Sequence, residues 1–135
     1  METIKNLLLK VFGWWHGATP GTLLYTNRHG IEVGKDEYGN SYYRGPLDGE
    51  GYERRWVIYA GENDPTKVPP GWHGWLHHRT DIPPSEEDYV MPTWVKPHVP
   101  NMTGTALAYR PPGSLLNPEP RRQTAGEYDA WTPGG

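Results

Sequence analysis

HGIEVGKDEYGNSYYRG, residues 29–45, reads as a β-hairpin and sets the fold of the chain. Two runs rich in β-branched and aromatic residues flank DEYGN, in which Gly39 and Asn40 tolerate the positive φ that a tight turn demands. ERRWVIYA (53–60) supplies the strongest strand signal that follows, with Arg54, Trp56 and Ile58 on one face and Arg55, Val57 and Tyr59 on the other. GTLLYT (21–26), upstream, is short and β-branched or aromatic and reads as a further strand. Three to four strands joined by short glycine-containing loops predict a small antiparallel meander, and a sheet of that size needs a cover.

The N-terminal helix or a partner must supply that cover. TIKNLLLKVFGWW (3–15) has helical periodicity at Ile4, Leu7, Leu8, Val11, Phe12 and Trp15, with Thr3 as N-cap and Lys5 and Lys10 off the stripe. A dozen residues are marginal as an isolated helix, so this one docks on a sheet or partner, or lies at a membrane interface with Trp14 and Trp15 at headgroup level. VPPGWHGWLHHRTDIPP (68–84) predicts a second, short helix that begins at the Pro69–Pro70 pair. Trp72, Trp75, Leu76 and Arg79 fall on one stripe, His73 and His77 on another, and His78 points elsewhere.

His73 and His77 have the i, i+4 spacing of a helical metal pair, but position 74 is Gly, so the general base of H-E-x-x-H is missing. A third ligand would have to come from His16, His29, His98 or a carboxylate, and no spacing selects one. A zinc-dependent hydrolase built on His73 and His77 is therefore the lesser reading. The greater one is a docking helix whose two tryptophans fill a partner's groove, with Arg79 at its C-terminal end and His77 on the seam.

From residue 82 the character changes. Ten of the fifteen prolines lie beyond that point, too closely set for a long helix or strand. Tyr89, Trp94, Tyr109, Tyr128 and Trp131 are spread through the segment as anchors, which predicts an extended arm pinned along a partner. The domain plan is an amphipathic helix (1–17), a sheet with a short helix (18–81) and the arm (82–135), an α+β fold.

Composition agrees with a borrowed surface. Hydrophobic residues make up 35 % of the chain, and seven Trp and nine Tyr stand against one Phe, a bias typical of interfaces. Net charge is −3, the acidic excess is local to SEEDY (85–89), and the basic pairs at 54–55 and 121–122 are too sparse for nucleic acid. With no cysteine there is no disulfide, thiol catalysis or cysteine-held iron–sulfur cluster, and no cofactor is expected. No stretch approaches the roughly 20 apolar residues of a membrane span. The start lacks the features of a secretory signal or an organelle presequence, which points to a bacterial cytoplasm or the cytoplasmic face of its membrane.

Four blocks in order, VGKDEYGNSYYRG, ERRWVIYA, VPPGWHGWLHHRTDIPP and NMTGTALAYRPPG, resemble the NADH dehydrogenase (ubiquinone) 1 alpha subcomplex subunit 12 family of respiratory complex I. The resemblance implies a non-catalytic accessory subunit of the peripheral arm, near its junction with the membrane arm. It would lie against the ferredoxin-like subunit that carries two iron–sulfur clusters, with other small accessory subunits as neighbours. Its location would be the cytoplasmic face of a bacterial inner membrane, or the matrix side in a mitochondrion. A paralogue of the family is an assembly factor, the alternative role. Gly34, Gly39, Asn40, Tyr42 and Tyr43, the strand residues Arg55, Trp56, Val57 and Tyr59, and Pro69, Pro70, Trp72, Trp75, Leu76 and His77 match family positions, to which fold and docking roles are assigned. Partner contacts are expected of Trp72, Trp75, Leu76, His77, Arg79, Trp94, Tyr109 and Trp131. Leu7, Leu8, Val11, Phe12, Trp14 and Trp15 are expected at a membrane surface or a partner. Arg44 and Gly71 stand where the family has Glu, so any salt bridge made by those acids is in question. A free-standing peptide-binding module is the third reading.

Overall fold

A computed structural model describes residues 4, 7, 8, 12, 17–121 and 131–134. It divides into two compact units, Met1–Pro100 and Asn101–Gly135. The first unit is α+β. Helix α1 (Pro20–His29) leads into strands β1 (Ile31–Lys35), β2 (Ser41–Leu47) and β3 (Glu53–Ile58). A 3-10 turn (Pro65–Lys67) and helix α2 (Pro70–Leu76) follow. The strands form one antiparallel sheet in the order β1-β2-β3.

The stretch 21–26, expected as a strand, is helical. Thr19 caps α1 by accepting a hydrogen bond from the Thr22 amide at 3.2 Å, and Pro20 occupies the first helical position. These two residues are a strong helix start, and they override the weak strand preference of LLYT. The sheet therefore has three strands. Farther upstream, Ile4, Leu7, Leu8 and Phe12 are helical, in keeping with the periodicity, while Val11, Trp14 and Trp15 lie outside the described residues.

The hairpin forms as its sequence predicts, with Gly39 at φ 83° in the turn. Asp36 organises it. Its carboxylate accepts hydrogen bonds from the amides of Tyr38 (2.9 Å) and Asn40 (3.0 Å), from Asn40 Nδ2 (2.9 Å) and from the Tyr42 hydroxyl (2.7 Å). Buried Asn40 in turn accepts from the Ala60 amide at 3.1 Å, which ties the turn to the end of β3. Register slips twice. Glu32 and Gly34 oppose the consecutive residues Tyr43 and Tyr42, which leaves Val33 as the extra residue of a bulge. Gly45 and Pro46 make the second irregularity, where β2 can accommodate a residue that cannot donate.

The sheet alternates as a strand must. On one face Tyr42, completely buried, stacks on Trp72 of α2 with ring centroids 4.0 Å apart and planes 7° from parallel. Trp75 meets Trp72 edge-on at 5.8 Å, and Val68, Val33, Val57, Tyr59 and Leu76 complete this core. Gly34 sits beneath it, where a Cβ would come within 3.0 Å of the Trp72 ring and 3.1 Å of Ser85. On the other face Trp56 anchors α1, with its indole N–H donating to Thr26 Oγ1 at 2.9 Å and its ring against Tyr25 and Tyr43. Gly45 lies under that ring, where a Cβ would come within 2.8 Å of it.

Beyond α2 the chain returns to the sheet. Ser85 Oγ donates to the Val33 carbonyl at 3.1 Å, His98 Nε2 pairs with the Thr66 carbonyl at 2.7 Å, and the Tyr38 hydroxyl donates to the His98 carbonyl. The second unit runs through turns, without helix or strand among its described residues. Asn101 Oδ1 accepts from the Thr103 amide and hydroxyl at 3.1 and 2.7 Å, and Gly104 follows at φ 84°. Asn117 Nδ2 donates to the Arg110 carbonyl at 2.9 Å and the Gly113 amide to the Glu119 carbonyl at 2.8 Å, closing a proline-bounded loop.

Candidate docking surface

The eight residues expected to touch a partner separate into two groups. Trp72 and Trp75 do not face outward. They are 5 % and 1 % exposed and form the chain's own core, which corrects the docking role given to them. The reason is the shortness of α2. Seven residues give a single apolar stripe, and among the described residues no other helix packs on the sheet face that carries Tyr42, Val57 and Tyr59. Leu76 packs partly against the same core. In contrast Trp94, Tyr109 and Trp131 are 79 %, 82 % and 77 % exposed.

Arg79 was expected at the C-terminal end of the short helix, but a residue of β3 holds that end. Arg55, with its side chain only 5 % exposed, reaches across from the sheet. One terminal nitrogen donates to the carbonyls of Trp75 (2.8 Å) and Thr80 (2.9 Å), the other to Asp81 Oδ1 (3.0 Å), and Nε to Glu53 Oε2 (3.2 Å). Its guanidinium carbon also lies 4.9 Å from the centroid of the Trp75 ring. A cation is thus placed against the orphan carbonyls at the negative end of the helix, with every arm of the fork used. The backbone completes the termination. His78 takes φ 56° and donates to the Trp75 carbonyl at 3.1 Å, and the Arg79 amide donates to Gly74 at 2.9 Å. The RRW of ERRWVIYA carried this signal, since a charged residue on the core face of a strand must find partners there.

His73 of α2 and His77, the residue that caps its C-terminal end, are both exposed, with ring centroids 4.3 Å apart. No cluster of three or more His, Asp or Glu side chains with metal-holding geometry occurs among the described residues. The two departures from the family pattern have structural counterparts. Arg44 reaches Glu53 Oε1 at 4.0 Å, so Glu53 lies between two arginines of adjacent strands. Gly71 lies against Pro84, whose Cγ would be 3.1 Å from a Cβ at this position.

Burial, reinforced by the hydrogen bond to Asp36, pushes the Tyr42 phenol far above its ordinary value of 10.0. Burial, then Asp64, raises Tyr59 as well. The folded state therefore keeps these protons at a pH where the unfolded chain has lost them. Their contribution is complete below pH 10 and declines as pH rises beyond it, by at most about 1.4 kcal/mol per pH unit for each phenol. Denaturant titrations on either side of pH 10 are expected to show this loss, and Tyr42→Phe is expected to flatten it.

A thin core, large aromatics left outside it and a C-terminal unit whose described residues form turns define a class, the small α+β protein with little core of its own. Residues 30–133 match the family described as NADH ubiquinone oxidoreductase subunit NDUFA12. Among relatives, "NADH dehydrogenase [ubiquinone] 1 alpha subcomplex subunit 12" of Dictyostelium discoideum is 43 % identical over 106 residues, covering 76 % of each chain. The Bos taurus protein of the same name is 36 % identical over 126 residues, 82 % of this chain and 85 % of that one. A Rickettsia prowazekii protein, RP725, is 48 % identical over 59 residues, 42 % of this chain and 54 % of that one. The chain belongs to the NDUFA12 family of NADH ubiquinone oxidoreductase subunits. No helix of the described residues is long and apolar enough to cross a membrane.

Proposed function

We propose that this chain is an accessory subunit of the peripheral arm of complex I that stabilises the arm near its junction with the membrane arm. Its chief partner is the ferredoxin-like subunit with two iron–sulfur clusters, and small accessory subunits are its neighbours. It resides on the cytoplasmic face of a bacterial inner membrane, a reading supported by the Rickettsia relative. The observation that carries the proposal is the exposure of Trp94, Tyr109 and Trp131, with Tyr89, Leu107 and Leu115 also exposed along the same proline-rich stretch. Aromatic side chains of this size form the buried centres of protein interfaces. Capture through a C-terminal tag from gently solubilised membranes tests the role. A resident subunit brings down complete, active complex I at one copy each. An assembly factor brings down only a subassembly, and that result would overturn residence.

A further inference from the structure

Among the described residues, the apolar stripe at the start of the chain takes no part in the core. Ile4, Leu7, Leu8 and Phe12 are helical and stand 64 %, 62 %, 52 % and 68 % exposed, so the core built by Tyr42, Trp72 and Trp75 makes no use of them. The charge around the stripe is mainly basic. Between Glu2 and Glu32 the sequence contains Lys5, Lys10 and Arg28 and no acid, in a protein whose net charge is −3. Trp14 and Trp15 follow directly on the stripe in sequence, and Leu23 and Leu24 of α1 are exposed within the same acid-free segment. The segment before residue 30 also lies outside the part of the chain matched by the family.

An apolar helical stripe with lysines off it and a tryptophan pair at its end has the chemistry of an interfacial helix. A protein groove would satisfy the stripe equally well, but it gives no reason for acids to be excluded over nearly thirty residues. An anionic bilayer surface does, because each lysine close to it is favoured and each carboxylate repelled. We infer that the N-terminal segment is a membrane-surface anchor, with Ile4, Leu7, Leu8 and Phe12 set into the acyl boundary of an anionic leaflet and the basic residues of the sequence supplying the charge attraction. The inference deepens the location proposed above, and its test requires no other subunit, so the two can fail separately.

The purified full-length chain is floated with phosphatidylcholine vesicles and with vesicles that also contain phosphatidylglycerol. Binding is expected only with the anionic lipid and is expected to weaken as salt is raised. Lys5→Gln with Lys10→Gln should reduce the partition coefficient by about fivefold for each charge removed. Leu8→Glu with Phe12→Glu should abolish flotation while leaving the near-ultraviolet circular dichroism of the Tyr42–Trp72–Trp75 core unchanged, which separates loss of binding from loss of folding. Trp94→Glu should bind as the parent chain does. Failure to float with anionic vesicles, insensitivity to the lysine and stripe substitutions, or an equal loss in Trp94→Glu would overturn the inference.

Discussion

Trp75→Ala is expected to leave the protein largely unfolded, whereas Trp94→Ala is expected to change its stability by less than about 0.5 kcal/mol. Both tryptophans have the look of partner anchors in the sequence, and burial alone separates them. Trp75 is 1 % exposed, meets Trp72 edge-on at 5.8 Å and lies under the Arg55 guanidinium. Truncating it removes transfer free energy, leaves a cavity that the short helix cannot collapse into, and strips the arginine of its aromatic neighbour. The cost is about 3–5 kcal/mol. Four buried apolar side chains form the described core, so a loss of that size is a large share of the stability such a domain has. Trp94 is 79 % exposed and its removal disturbs only surface. Near-ultraviolet circular dichroism and chemical denaturation of the two variants check the contrast. Equal stabilities would show that Trp75 does not serve the core.

Arg55→Ala is expected to destabilise the protein by about 2–4 kcal/mol, and Arg55→Lys to recover little of that. The loss comes from the carbonyls of Trp75 and Thr80, which have the same guanidinium nitrogen as donor, and from Glu53 at the buried end of the fork. The bond to Asp81 contributes little, because the Asp81 side chain is 93 % exposed, and Asp81→Asn should cost less than about 0.5 kcal/mol. A lysine ammonium is a point donor on a flexible stem and cannot hold both carbonyls and Glu53 in the geometry of the planar fork. Denaturant midpoints of the three variants give the ranking. An Arg55→Lys protein as stable as the parent would refute the idea that the fork matters.

These two residues also show what the sequence makes legible. The hairpin and β3 could be read directly, because local chemistry decides them: a Gly–Asn turn with Asp36 ahead of it, and alternating β-branched and aromatic residues. The start of α2 was equally local, since within a helix a proline pair is accepted only at the first turn. The strand expected at 21–26 failed because two residues outside the run, Thr19 and Pro20, fix its backbone before side-chain preference can act. The placement of Trp72 and Trp75 failed for a different reason. A stripe on a short helix says that something apolar must cover it, but not whether the cover is the chain's own sheet or another protein. That depends on which sheet face is left bare, a property of the assembled fold. The role of Arg55 was hidden in the same way, because its carbonyl partners lie 20 and 25 residues away. The exposed aromatics of the proline-rich stretch were the reverse case, since prolines preclude the regular structure that could bury them.

The central claim is that this chain has a core just sufficient to fold and attaches to complex I through aromatics outside that core. The measurement that tests it most directly is tagged capture of complex I from membranes by the parent chain and by a variant combining Trp94→Ala, Tyr109→Ala and Trp131→Ala. The account predicts stoichiometric recovery of active complex with the parent and loss of it with the variant, while the variant keeps the parent's denaturation midpoint. Undiminished recovery by the variant would contradict the account, since the complex would then be held by a surface other than these exposed aromatics.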